Sequence, residues 1–424
     1  MEDCNGGPHA LSGVAEGRSM AATVVIVGAS IAGVQSARAL RAEGFTGRVV
    51  LVGQEPSLPY DKPPLSKQFL AGQWEADRIV LLDQEDAARH GVELRLGVAA
   101  AELRPDDRRV VLADGHSLAY DALVVATGAS ARPAPWDGAS GVHVLRTLED
   151  ARSLRAELHR KARVVVVGGG FIGSEVAATA RTAGCDVTVV DPLPAPLGRV
   201  VGEEVANRIA ELHRRHGVVT RFGVGVESVA GAAGHLAVRL ADGKELRAET
   251  VVVGIGAVPN VSWLAGSGLG VDDGLLCDEY CRAEGTTDIF AAGDVARWFD
   301  VDSRSSRRIE HWTNAVDQAS CVAHNIVHPE ALRAYRPVEY IWSDQYDWRI
   351  QVVGRPQCED AGRVIGGVRD DEPMVVVHED GDGRLAGAVV VNWPRALREC
   401  RRALAARARS DDVVARLGDL ASAR

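Results

Sequence analysis

Val24-Val25-Ile26-Val27-Gly28-Ala29-Ser30-Ile31-Ala32-Gly33 and, 140 residues on, Val164-Val165-Val166-Val167-Gly168-Gly169-Gly170-Phe171-Ile172-Gly173 are two versions of one pattern. Each opens on a β-branched run that reads as a buried parallel strand. Each passes a glycine turn into an alanine-rich stretch without proline, which reads as a helix. Each then returns to a strand, Val49–Val52 and Val187–Val190. The register holds beyond the motif, since Ala37 matches Ala177, Arg41 matches Arg181 and Gly44 matches Gly184. A βαβ unit therefore occurs twice.

The first glycine of such a turn permits the sharp bend, the middle position lets a pyrophosphate approach the backbone, and the third lets helix pack on strand. Helix N-terminal amides then face the phosphate charge. The second copy is a full G-x-G-x-x-G, Gly168, Gly170 and Gly173. The first carries Ser30 at the middle position between Gly28 and Gly33, with a hydroxyl able to donate to phosphate. A single motif of this kind is weak, but two in strand–turn–helix context predict two Rossmann-like folds. Asp191 closes the second unit, where a carboxylate bonds ribose hydroxyls and repels a 2′-phosphate, favouring NADH; Arg199 leaves NADPH open. The alternative for Asp191, a solvated turn aspartate, fits its position at the strand end less well. The first unit has Gly53 at the matching position and its acid at Glu55, so two different dinucleotides are expected.

Ala126-Thr127-Gly128 and Gly254-Ile255-Gly256 follow the strand-like runs Leu123–Val125 and Val251–Val253, and read as further strand ends closing the two folds. Gly293-Asp294, after Ile289-Phe290-Ala291-Ala292, reads as a helix start aiming a carboxylate at a polyol, or simply as an N-cap aspartate.

The chain has 424 residues, enough for about three domains. Its net charge of −10 and 25% charged residues suit a globular protein and argue against a nucleic-acid coat. No apolar run is long enough to span a bilayer. The seven cysteines contain no C-x-x-C pair, which reads as reduced thiols in a cytoplasmic protein. No cysteine or histidine set shows metal-ligand spacing, so no metal is expected. Residues 1–22 read as a disordered extension or, up to Met20, as a misassigned start.

Further stretches carry a family resemblance: Leu58-Pro59-Tyr60-Asp61-Lys62-Pro63-Pro64-Leu65-Ser66-Lys67, Gly256-Ala257-Val258-Pro259-Asn260, Ala291-Ala292-Gly293-Asp294-Val295, Glu310-His311-Trp312-Thr313-Asn314-Ala315 and Trp342-Ser343-Asp344-Gln345-Tyr346. With the glycine motifs, they make the chain resemble the FAD-dependent NAD(P)H:ferredoxin reductases of bacterial oxygenase and cytochrome P450 systems, from about Val24 onward. The resemblance implies a glutathione-reductase-like α/β architecture: an FAD domain over 23–130 and 255–328, an NAD domain inserted over 131–254, and a C-terminal α+β domain over 329–424. The runs Val352–Val353, Ile365–Val368, Met374–Val377 and Leu385–Val391, separated by glycine and aspartate turns, suggest that last sheet on their own.

The resemblance also implies roles. Lys67 would lie by the reactive edge of the flavin and pair with Glu175, which would border the nicotinamide; the plainer readings are a solvated lysine and a surface glutamate. Pro63 stiffens the loop. Lys62 stands where the family usually has arginine, which weakens a bidentate phosphate contact. Phe171 would cover the flavin or merely pack. Trp312 would lie beside the flavin at a helix start, on the electron exit route, or be a core tryptophan. Trp342 and Trp348 read as packing or interface residues. Ala32, Ile172, Gly256 and Asp294 complete the cofactor contacts.

Disulfide reductases of these nucleotide folds need a dithiol by the flavin, and none stands near either glycine motif. Hydride from NADH should therefore leave FAD as single electrons to an external iron–sulfur ferredoxin. Such carriers are acidic, so docking needs basic surface: Arg304, Arg307 and Arg308, or a last helix bearing Arg395, Arg398, Arg401, Arg402, Arg407 and Arg409 around the single acid Glu399, with an apolar stripe Leu397, Cys400, Leu404 and Ala408. A solvated arginine face is the plainer reading of any one of them. Neither nucleic acid nor membrane is expected as partner, and the oligomeric state is left between monomer and homodimer. The alternatives are an NADH oxidoreductase with a small-molecule acceptor and a redox-sensing flavoprotein like apoptosis-inducing factor.

Overall fold

The computed structural model describes residues 22–136, 139–356, 361–367 and 372–422; the choice between Met1 and Met20 as start, and Val368, lie outside them. The strand Thr23–Val27 pairs in parallel with Arg48–Gly53, and the helix Ile31–Ala42 makes the crossover. The complete parallel sheet runs Ile289–Ala291, Ala122–Val125, Thr23–Val27, Arg48–Gly53, Val92–Leu96 in spatial order. Val24 to Val27 and Ala122 to Val125 are buried throughout, as strands covered on both faces must be.

The second unit builds the same object. Its parallel order is Val219–Phe222, Asp186–Asp191, Arg163–Val167, Thr250–Val253, Val142–His143, with the helix Phe171–Thr182 crossing over. Each sheet is interrupted before the strand that flanks its first by a three-stranded antiparallel meander. The first comprises Ala100–Arg104, Arg109–Leu112 and Ser117–Ala119, the second Val226–Ala232, His235–Leu240 and Glu245–Ala248. The repeat thus extends well past the glycine motif. Short antiparallel strands, Ala129–Ala131 and Ala257–Pro259, carry the chain out of the first fold and back.

The C-terminal sheet is antiparallel, in the order Tyr340–Gln345, Trp348–Gly354, Leu385–Val391, Met374–Glu379, Arg363–Gly366. Two helices pack on it, Pro394–Ala405 and Ser410–Ser422. The arginine-rich segment is therefore not one last helix. It stops at Ala405, because Arg407 takes a left-handed φ of 50° and the chain turns to bond Leu385 through the Ala408 carbonyl. Arg407, Ala408 and Arg409 belong to that turn.

Gly293-Asp294 does not start a helix either. The turn leads into the strand Ala296–Asp300, which pairs with Leu275–Cys277 and Ser305–Arg308. Trp298, fully buried, is the anchor that commits this segment to strand. Cys277 ends the short strand Leu275–Cys277, and Cys281 occupies a left-handed turn beside the strand leading to Asp294.

Candidate functional site

Both glycine turns press against the end of a neighbouring strand. A Cβ on Gly28, whose φ is +118°, would stand 2.0 Å from the Ala126 carbonyl oxygen. On Gly168, with φ +108°, it would stand 2.2 Å from that of Gly254. The third glycines, Gly33 and Gly173, would collide with the carbonyls of Gly28 and Gly168 at 1.8 and 1.9 Å. The middle positions behave differently. Ser30 makes no cap hydrogen bond, and a Cβ on Gly170 would meet no atom within 4 Å. The first intrahelical bonds are from Val34 to Ser30 and from Ser174 to Gly170. The amides of Ile31, Ala32 and Gly33, and of Phe171, Ile172 and Gly173, thus precede the helical ladder. Two helix N-termini with open middle positions fit two pyrophosphates.

Around the first turn, the Tyr60 hydroxyl donates to Glu55 Oε2 at 2.6 Å and accepts from the Leu148 amide at 2.9 Å. Lys62 Nζ lies 3.3 Å from that hydroxyl, 3.5 Å from Glu55 Oε1 and 3.2 Å from the Arg146 carbonyl. Burial pushes the Lys62 ammonium below its ordinary value, with Glu55 opposing. Burial and the Glu55 carboxylate both hold the Tyr60 phenol protonated. Thr127 Oγ1 donates to the Asn260 carbonyl at 2.8 Å, and Asn260 returns its side-chain amide to the Thr127 carbonyl at 2.9 Å. Asn260 also donates its backbone N–H to the Gly128 carbonyl, so the Gly256–Asn260 stretch is locked to Ala126–Gly128. Gly293 packs on Ala32, where a Cβ would stand 3.0 Å from the alanine's own.

Arg146 went unnoticed in the sequence. Its Nη2 lies 2.9 Å from Asp294 Oδ2 and its Nε donates to the Ala129 carbonyl at 2.7 Å. It thereby ties Asp294 to the first crossover strand. Thr147-Leu148-Glu149-Asp150 is legible as a capping box, which places Arg146 at a helix start. Nothing local marks it as the partner of a carboxylate 148 residues away.

Between the two turns lies a buried charged centre. The loop Pro63–Ser66 is a 3-10 turn with proline at its start, and it delivers Lys67 Nζ to within 2.7 Å of Glu175 Oε2. Their side chains are 11% and 3% exposed, so neither is a solvated surface residue. Glu175 also accepts from the Ser66 and Ser343 hydroxyls, the latter at 2.8 Å. The chain of bonds continues from Ser343 to Gln345, to His213 and to the Tyr346 hydroxyl. It joins the first fold, the second fold and the C-terminal sheet. Burial pushes His213 down to about 4, so its ring is neutral.

Trp312 opens the helix Trp312–Val327 and donates Nε1–H to Asp61 Oδ1 at 2.8 Å. Burial pushes the Asp61 carboxyl up. His311, the N-cap, keeps a buried Nδ1 with no partner, and burial pushes its ring down. An orphaned ring nitrogen and the unbonded amides of that first helical turn are donors and acceptors left for a bound polar ring. Trp312 meets Trp342 edge-on at 6.1 Å between centroids, Trp342 stacks on Tyr340 at 5.9 Å, and Arg401 lies over Tyr340 at 5.2 Å. Trp348 is buried in the core between the helix Gly198–Arg215 and the C-terminal sheet, and Phe171 packs on that same cluster.

At the second turn, Asp191 Oδ2 accepts from the Gly169 amide at 2.6 Å and Oδ1 from the Leu193 amide at 2.7 Å. The carboxylate braces its own glycine turn, and each oxygen has a lone pair left. Arg199 is exposed, and Ile172 and Ile255 expose apolar side chains.

The basic clusters divide. Arg307 pairs with the largely buried Glu339 and Asp300 inside the fold, whereas Arg308 pairs with the exposed Asp273 and Glu310 at its surface, so neither is a free cation. On the helix Pro394–Ala405, Arg395, Arg398, Arg401 and Arg402 are exposed, and Arg402 pairs with Glu399. Cys281 and Cys321 share a hydrogen bond, but Cys321 lies nine residues along its helix from Trp312, roughly 13 Å at 1.5 Å per residue. The expectation that no histidine set has ligand spacing fails: His324 and His328 stand four apart, and Glu43, remote in sequence, joins them.

Two dinucleotide folds facing one buried ion pair define a pyridine-nucleotide flavoprotein class. The family model described as pyridine nucleotide-disulphide oxidoreductase matches residues 22–319, and one described as reductase C-terminal matches 340–422. The chain belongs to the pyridine nucleotide-disulphide oxidoreductase family. It is 39% identical over 391 residues to the ferredoxin–NAD(+) reductase component of an anthranilate 1,2-dioxygenase system from Burkholderia cepacia, covering 91% of this chain and 95% of that one. It is 38% identical over 386 residues to rhodocoxin reductase from Rhodococcus erythropolis, covering 90% and 89%. The reductase in a crystal structure of a covalent putidaredoxin reductase–putidaredoxin complex superposes with a TM-score of 0.82 at 35% identity, covering 90% and 91%. No helix among the described residues is long and apolar enough to cross a membrane.

Proposed function

We propose that this protein oxidises NADH on a bound FAD and passes the electrons singly to an iron–sulfur ferredoxin serving an oxygenase or P450. The observation that carries this reading is the Lys67–Glu175 pair, 2.7 Å apart, one member from each nucleotide fold. On this reading the pair marks where the reactive ends of both crevices meet. The relatives named as ferredoxin–NAD(+) reductase and as a reductase bound to putidaredoxin support the same acceptor class.

The domain division we adopt is FAD over 23–130 and 255–328, NAD over 131–254, and a C-terminal domain over 329–424. FAD supplies a ring that accepts a hydride and releases electrons one at a time. Gly28, Ser30, Ala32 and Gly33 receive its pyrophosphate, Glu55 its adenosine ribose, and Asp294, held by Arg146, its polyol side. Pro63 and Lys62 wall the loop above it, with Ala126, Thr127 and Gly128 beneath the crossover. Lys67 places a cation near the ring, and Glu175 holds that cation in position. Gly168, Gly170 and Gly173 take the NADH pyrophosphate, Phe171 and Ile172 line its path, and Gly256 lets the chain cross it. Asp191 faces the ribose and disfavours a 2′-phosphate; Arg199 would serve NADPH only secondarily. Trp312 borders the ring and, through Trp342 and Tyr340, leads to the exposed arginines of Pro394–Ala405. Among the described residues the five cysteines form no disulfide and four of them are buried, which fits a cytoplasmic setting.

The test is steady-state cytochrome c reduction through several purified ferredoxins, with NADH and then NADPH. At least one ferredoxin should turn over far faster than dioxygen, and NADH should exceed NADPH. Equal turnover with dioxygen and every ferredoxin would remove the proposal. Replacing Arg395, Arg398 and Arg401 by glutamate should lower ferredoxin reduction and spare a small dye.

A further inference from the structure

The helices Ile31–Ala42 and Trp312–Val327 lie against each other, and both begin at the first crevice and run away from it. Their far ends meet. Glu43 is the C-cap of one and His328 the C-cap of the other. His324 lies twelve residues from Trp312, roughly 18 Å along the axis, so this spot is remote from the cofactor turns.

Glu43 Oε2 stands 3.2 Å from His324 Nδ1 and 3.2 Å from His328 Nε2. All three atoms lie within 4.8 Å of one another. His324 Nε2 lies 3.0 Å from the Ala331 carbonyl, an acceptor only, so that nitrogen carries the ring proton. In the neutral ring, Nδ1 then turns a lone pair toward a carboxylate oxygen. Two acceptors at that distance repel unless a proton or a metal ion lies between them. The other nitrogen of His328, Nδ1, is 3.9 Å from Glu330 Oε1. Each ring therefore has one nitrogen turned to Glu43, and His324 bonds a backbone oxygen through the other, the outer-shell arrangement of metal-bound histidine; the contact at His328 is too long for such a bond.

We propose that Glu43, His324 and His328 form a binding site for a divalent ion of the zinc type, with water completing a tetrahedron. Zinc–nitrogen and zinc–oxygen distances of about 2.0–2.2 Å set tetrahedral edges of roughly 3.3–3.6 Å, close to the two observed separations. A set of two imidazoles and one carboxylate suits zinc, not calcium or magnesium, which take oxygen ligands. Two helix C-termini converging there add negative potential that favours a cation. Arg333 is the opposing charge acting on Glu43. The ion would clamp the two helices at the end opposite the crevice.

The flavin-loaded protein, stripped with a chelator and dialysed against zinc chloride at neutral pH, should retain one zinc per flavin with saturable affinity. Glu43→Gln and His328→Ala should each weaken binding by more than the roughly 10–100-fold that losing an outer-shell partner costs. An unchanged flavin absorbance spectrum shows each variant folded. Retention of no zinc by the parent protein would identify the trio as a protonated ion-pair cluster and overturn the proposal. Equal retention by parent and variants would overturn it as well.

Discussion

Removing one charge of the Lys67–Glu175 pair should cost more than removing both. At 2.7 Å and an effective dielectric of about 20 the attraction is about 6 kcal/mol, offset by the desolvation of two buried ions. Deleting one partner of such a pair typically costs about 3–5 kcal/mol. Here the low end applies, because each survivor keeps help. Glu175 retains the Ser66 and Ser343 hydroxyls, and Lys67 retains the pull of Asp61. Lys67→Met and Glu175→Gln should thus each destabilise by about 3 kcal/mol. The double variant, with no bare charge, should cost less than either single, so it should fall more than about 3 kcal/mol short of their sum. The assay is urea unfolding of the flavin-loaded proteins, with stopped-flow reduction of the flavin by NADH beside it. Stability should return in the double variant while the reduction rate stays low, because no cation then faces the ring. A double variant whose cost equals the sum would refute the coupling. One whose reduction rate returns with its stability would leave the pair a purely structural device.

Gly170→Ala should fold normally, since its Cβ meets nothing within 4 Å, yet raise KM for NADH by occupying the phosphate path; an unchanged KM counts against a pyrophosphate there. Gly168→Ala, by contrast, should not fold stably, as its Cβ would stand 2.2 Å from a carbonyl oxygen. Trp312→Phe loses the bond to Asp61 and should slow ferredoxin reduction while flavin reduction by NADH changes little. If both steps slow equally, Trp312 is not on the exit route. His213, held at about 4 against an ordinary 6.5, is protonated first in the unfolded chain as pH falls. Its contribution is complete above about pH 6.5 and is lost toward pH 4, about 3 kcal/mol in all. His213→Gln should flatten that part of the stability–pH curve, and parallel curves for the two proteins would exclude this burial effect.

Most of the architecture was legible in one dimension because it depends on local patterns. Valine runs buried on both faces and glycines forced by backbone collision are written residue by residue, so both nucleotide folds could be counted before any coordinates. The turn chemistry of the C-terminal strands was equally visible. What misled was also local. Gly293-Asp294 looks like a helix start, but the pairing of Ala296–Asp300 with two distant strands overrides it. The arginine run looks like one helix until the left-handed Arg407 ends it.

The sequence by itself determined two dinucleotide folds, their order and the lack of a dithiol motif at either glycine turn, because strand burial and turn sterics act over a few neighbouring residues. Only the tertiary structure decided what meets across them. Arg146 reaches Asp294 over 148 residues, Ser343 reaches Glu175 over 168, and Glu43 reaches His324 over 281. No short-range pattern encodes such pairs, since a buried charge is satisfied by whatever the packed helices and sheets bring within 3 Å. The same packing pairs Arg307 and Arg308 with carboxylates of distant segments and leaves the arginines of Pro394–Ala405 exposed, which the composition alone weighs alike.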